Sequence, residues 1–383
     1  MSINANVVVT GRLYGTVIVD YLTVNNNIVL PATTPGGTSG IYTGATGLIR
    51  IFTPALAAGG QSLGNNLFVG NSGNSTMSNG AGSVYLASNN TVVGFGGLRV
   101  ATTAMFNTVV GSGALYANTT GYDNNAFGCN ALAANVGGYA NTAIGTNCLQ
   151  TNVSGVSNTG IGEQALLVNT ASYNTAIGDN SMRTTTTGAE NTAVGMESLY
   201  YNLAGQRNVA VGLASLHANT SGSYNVGVGW NALLSTTVSG ECTALGADAL
   251  KLADGIRNVG VGCSSGSKIS SGTANTIIGA YSFDNLTTGG QCVSVGYDNK
   301  ASAINANNEI AIGASVTGAG SNTAVIGNVS VTDVYFGSVT AAANVRAAKY
   351  YSGATPGIST TVTTASLVGK TITFVNGIIT GFA

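Results

Sequence analysis

His217 is the one histidine in the chain, and it follows Leu216 without a nucleophile and carboxylate spaced as a hydrolytic triad requires. It reads as a surface histidine, not a general base. The carboxylates Asp179, Glu197, Asp248 and Asp254 are scattered through the chain, so no acid pair for glycoside cleavage stands out. Cys129, Cys148, Cys242, Cys263 and Cys292 are odd in number and contain no Cys-x-x-Cys pair, which suggests free thiols and neither a zinc site nor a closed disulfide framework. Gly369-Lys370-Thr371 lacks the earlier glycine of a phosphate-binding loop, since Thr364 stands there. The expectation is a protein that is not an enzyme and holds no cofactor or metal.

Composition narrows the remaining classes. Among 383 residues, 12 are basic, 13 are acidic and 56 are glycine, with a net charge of -1. Such a chain has no basic footprint for nucleic acid or for an anionic membrane surface. No apolar run approaches the roughly 18 to 20 residues that span a bilayer, so membrane insertion is not expected. The opening Met1-Ser2-Ile3-Asn4-Ala5-Asn6 has no basic segment leading into an apolar core, and folding where the chain is made, in the cytoplasm, is expected.

What the sequence does contain is a repeat. Glycine recurs from Gly94 through Gly145 and Gly178 to Gly313 in thirteen intervals, eleven of 17 residues and two of 16. The residue before each of these glycines is always apolar, as at Ile144 and Ile177. The residue before that is mostly alanine or glycine, and the third is mostly threonine or valine. Four residues after glycine comes leucine, as at Leu199 and Leu216, and four before it stands asparagine in eleven of fourteen repeats, as at Asn141 and Asn174. Cys242, Cys292 and Glu309 take that place in the others.

Bulky and small residues alternating over three positions predict a short strand. Polar stretches such as Asn118-Thr119-Thr120-Gly121 predict chain reversal. One repeat is then one coil of a parallel β-solenoid, and fourteen coils at about 4.8 Å make a rod roughly 65 Å long. The aliphatic and leucine columns are expected to point inward together, with the threonines buried on the same strand face. Asparagines stacked in a column would donate and accept hydrogen bonds along the rod. The small-residue column would then let a second chain approach closely; lining a cramped interior is its alternative fate. Exposed aromatics outside these columns, Tyr116, Tyr200, Tyr201 and Trp230, are candidate receptor contacts.

The segment Asn141-Thr142-Ala143-Ile144-Gly145 resembles the head repeat of the YadA-type trimeric autotransporter adhesins, and the longer Gly111 to Gly121 unit resembles repeats of phage and large-virus tail-fibre proteins. The resemblance covers about residues 66 to 327. It implies a left-handed β-roll in three intertwined copies, a homotrimer that recognises a host cell-surface glycan or protein. Residues 1–65, with β-rich runs at Asn6–Thr10 and Gly15–Leu22 and a loop from Pro31 to Gly40, are expected to form an attachment domain, and 328–383 a β-rich cap. The cap is expected to hold a short helix near Ala341–Tyr351 and a terminal hairpin turning at Asn376-Gly377. No secretion signal, heptad stalk or barrel pattern accompanies the repeat. The expected role is therefore a virion tail fibre joined to other tail or baseplate proteins through one terminus, with a bacterial adhesin or extracellular matrix filament as the alternative.

Overall fold

The computed structural model describes residues 38–43, 46–52, 66–73, 88–332, 351–352, 355–356, 372–375 and 378–382. Two compact units are distinguished, Met1–Val325 and Ile326–Ala383. The first is a parallel β-solenoid with coils of about 17 residues, and every element among the described residues is a strand.

An antiparallel pair, β1 (Thr38–Thr43) and β2 (Thr46–Phe52), begins the sheet. Strand β2 pairs antiparallel with β3 (Asn66–Val69), and β3 pairs parallel with β4 (Thr91–Val93). From there each coil adds one three-residue strand, up to β18 (Ala324–Ile326). The register is that of the sequence columns. Ala193 lies beside Ala176 on one side and Ala210 on the other, and Val194 beside Ile177 and Val211. Thr38–Gly40, expected as loop, belong to β1. The expected strands at Asn6–Thr10 and Gly15–Leu22 lie outside the described residues, as does the expected helix apart from Tyr351. That residue is in a two-residue strand, β19 (Tyr351–Ser352), paired with β20 (Thr355–Pro356). The last elements, β21 (Ile372–Val375) and β22 (Ile378–Phe382), form the antiparallel hairpin expected around Asn376-Gly377, with Val375 opposite Ile378.

The strand faces are the reverse of the expectation. Ala143 and Ala176 are fully buried, whereas Ile144 is 41 % and Ile177 38 % exposed, and this pattern holds along the array. The reason is the width of the coil. Leu199 and Leu216 stand fully buried inside, and from the third coil on the gap between the leucine side and the strand admits little more than a methyl group, whereas Val92 and Val109 fill it in the first two. A Cβ added to Gly260 would lie 2.7 Å from Leu250 Cγ, and one added to Gly227 2.6 Å from Ser215 Oγ. Interiors pack near crystal density, so a large inward residue needs a gap opposite it. The leucine column lapses at Gly266, and there Ile277 replaces the usual small residue; a Cβ on Gly266 would lie 2.8 Å from Ile277 Cδ1 and 2.9 Å from Ile269 Cδ1. At that coil core volume is kept by exchange between columns, whereas Val92 with Leu98 and Val109 with Leu115 fill both columns at once.

Backbone geometry explains the glycine column. Gly178 has φ +132°, and a Cβ there would lie 2.6 Å from the carbonyl of Gly195 in the next coil. Gly145, with φ +136°, is packed in the same way on Gly162. The corners also require left-handed residues. In the coil after Gly178 these are Asn180, Met182 and Glu190, with φ between +50° and +59°.

Two buried asparagine columns close the corners. In the first, the side-chain carbonyl of Asn141 accepts from the backbone N–H of Asn158 at 3.0 Å and from its Nδ2 at 3.1 Å. Asn174 continues the column and accepts from the backbone N–H of Asn191 at 3.0 Å. In the second, Asn118, Asn135, Asn152, Asn169, Asn202 and Asn219 are fully buried. Asn219 Nδ2, for example, donates to the Gly222 carbonyl at 3.0 Å and to Asn202 Oδ1 at 2.8 Å. Both 16-residue intervals lose a residue between the two columns, within Asn169–Asn174 and Ala253–Asn258, so the strands keep their register.

The exceptions to the first column keep its chemistry. Cys242 donates its thiol to the Gly255 carbonyl at 3.2 Å and receives the backbone N–H of Asn258; Cys292 does the same with Ala306 and Glu309. Glu309, also buried, accepts from the backbone N–H groups of Ser302 at 3.0 Å and Gly320 at 2.9 Å.

Candidate binding surfaces

Reversal of the strand faces puts the aliphatic column on the outside. It runs from Val93 to Ile326 beside the threonine–valine column, which is likewise outward-facing and not buried as expected. Neither outward column carries a charged residue between Thr91 and Ile312. Trp230 stands directly after Gly229, exposed like Met196 and Leu213 at the same position of the two preceding coils, and adds apolar surface beside the aliphatic column.

The structure brings two of the four candidate aromatics together. Tyr200 and Tyr201 are adjacent in sequence, and their rings meet edge to face at 4.6 Å. His217, one coil on, stacks on Tyr200 at 5.3 Å and meets Tyr201 edge-on at 5.2 Å. Arg183, one coil back, donates from Nη1 to Tyr200 Oη at 2.8 Å and from Nε to Gln164 Oε1 at 2.7 Å. Burial lowers the His217 pKa from its usual 6.5, against the pull of Glu197, whose Oε2 lies 3.6 Å from Nε2. Burial thus favours the neutral imidazole, and the ring packs within the aromatic stack. Tyr116 occupies the same column as Tyr200 but five coils away, roughly 24 Å along the stack.

A third cluster was not found from sequence. Five residues before the glycine, six consecutive coils carry Tyr173, Glu190, Arg207, Tyr224, Glu241 and Arg257. Arg207 Nε donates to Glu190 Oε2 at 2.7 Å, and its Nη1 donates to Tyr224 Oη at 2.6 Å. Arg257 Nε donates to Glu241 Oε2 at 2.8 Å. The arginines hold both carboxyls below their ordinary range through these hydrogen bonds and their charge. The signal was available in the column itself, which reads Tyr-Glu-Arg twice.

Among the described residues no three His, Cys, Asp or Glu side chains converge to hold a metal ion. Burial pushes the Cys148 thiol up to about 12, against a backbone hydrogen bond with Ile144, which leaves it a poor nucleophile. No helix among them is long and apolar enough to cross a membrane. Comparison with family models, curated proteins and solved structures finds no match to this chain.

Proposed function

We propose that this chain is a structural fibre and host-surface attachment protein of a virion, working as a homotrimer whose copies join through the aliphatic sheet face. The observation that carries this reading is the uninterrupted outward column from Val93 to Ile326, with one apolar residue per coil. A single chain in water leaves that column partly exposed in every coil. A partner that covers it must repeat at the coil spacing and carry no charge along the contact, and a second copy in parallel register meets both conditions. Burying the exposed part of one aliphatic side chain contributes on the order of 1 kcal/mol, and this recurs in every coil. The joining surface differs from the small-residue column expected from sequence, because that column lines the interior. Three copies, the virion and the host surface come from the resemblance of the repeat. The exposed Tyr116, Tyr201 and Trp230 and the half-buried Tyr200 are then the candidate receptor contacts.

The first test is the mass of the purified chain in solution, measured by sedimentation at micromolar concentration. Three chains are expected, and a single chain refutes the assembly. Antibody against the chain should label purified virions, and free chain should compete with them for cells. Labelling confined to the bacterial surface in uninfected culture would instead make it a cell-surface adhesin.

A further inference from the structure

The corner five residues before each glycine is left-handed: φ is +54° at Asp123 and Ala140, +55° at Ser157 and +58° at Asn89. Asn and Asp suit such a corner best, and outside Tyr173–Arg257 it is mostly short, with Phe106 and Gln291 as the long exceptions. Over six successive coils it is filled instead by Tyr173, Glu190, Arg207, Tyr224, Glu241 and Arg257, at φ between +55° and +62°. Long side chains gain nothing from this backbone, which is strained for an L-residue. Nor do the ion pairs repay it, because exposed pairs contribute little. The reason for the Tyr-Glu-Arg order lies in what it presents to solvent.

What it presents is neutral and amphipathic. Tyr173 is 60 % and Tyr224 55 % exposed. Two carboxylates and two guanidiniums cancel in charge, yet offer acceptors and donors in fixed positions beside the rings. The Tyr224 ring is held from one coil back by Arg207, whose guanidinium carbon lies 5.5 Å from the ring centre. The stripe is roughly 24 Å long, with its tyrosines about 14 Å apart.

We propose that this stripe binds an uncharged polysaccharide laid along the rod axis. Tyr173 and Tyr224 stack against the C–H faces of sugar rings, and the Glu190–Arg207 and Glu241–Arg257 pairs bond the hydroxyl rim. The inference rests on the reading of the chain as an attachment rod and names the ligand class for one of its flanks.

The test uses the full-length chain on an array of neutral and acidic oligosaccharides, followed by titration with the best neutral member. Tyr173→Ala and Tyr224→Ala should each weaken binding about tenfold. Tyr224→Phe keeps the ring, loses the bond from Arg207, and should bind close to wild type. Tyr297→Ala, an exposed tyrosine off the stripe, should change nothing, and thermal melts confirm that each variant folds. Preference for acidic members, no binding to neutral ones, or full binding by the double alanine variant overturns the proposal. If the double variant still adsorbs to host cells like wild type, the stripe is wrong and the attachment reading stands. Neutral-glycan binding that needs both tyrosines, in a chain that adsorbs to no cell, upholds the stripe and sinks the attachment reading.

Discussion

Replacing Asn191 by alanine should cost about 2–4 kcal/mol of stability, and the sum can be traced bond by bond. Asn191 Oδ1 accepts from the backbone N–H of Asn208 at 2.9 Å and from Asn208 Nδ2 at 3.2 Å. Its Nδ2 donates to the Gly205 carbonyl at 2.9 Å and to Asn174 Oδ1 at 3.2 Å, an oxygen that alanine leaves with the residue 191 backbone N–H. Alanine leaves the buried Asn208 N–H with no acceptor, worth about 1–3 kcal/mol. The Gly205 carbonyl loses one donor but keeps Asn202 Nδ2 at 2.9 Å, so that loss is nearer 1 kcal/mol. Asn191→Cys should cost roughly half as much, because Cys242 and Cys292 show how a thiol donates to the corner carbonyl and receives the next coil's N–H. Denaturant unfolding of the three proteins, with hydrogen exchange at the Asn208 amide, measures both parts. An alanine variant as stable as wild type, or a cysteine variant no better than alanine, would refute the ladder as the source of corner stability.

Two neighbouring substitutions separate the faces of the strand. Ala176→Asp places a charge in a fully buried site and should unfold the coils around it, while Ile177→Asp should leave a folded chain that no longer assembles. Circular dichroism with sedimentation distinguishes them, and loss of folding in both variants would contradict the outward placement of Ile177. His217 supplies a pH dependence. Its pKa is lowered in the fold, so the stabilisation it contributes is complete above 6.5 and is lost as the pH falls through the lowered value. The melting temperature should therefore drop on acidification below 6.5, and less so in His217→Phe; an identical drop in that variant would remove His217 from the account.

Much of the architecture was legible in the chain because a stacked repeat writes its geometry as columns. Glycine every 16 or 17 residues set the coil, the three residues before it set the strand, and Asn376-Gly377 set the terminal hairpin. The asparagines four before glycine announced a ladder; the second column, at Asn118 and Asn135, lies among turn residues whose polar type alone does not imply stacking. Alternation of Thr142, Ala143 and Ile144 established that the strand has two unlike faces, but not which one is interior. That choice depends on the distance across the coil, which no local pattern contains. Facing Leu250, there is room for Gly260 and not for an isoleucine, so the bulky residues turn outward. The same dependence on distant packing made Ile277 inseparable from Gly266. Composition and spacing determined the stack; the width of one coil decided what it buries and what it shows.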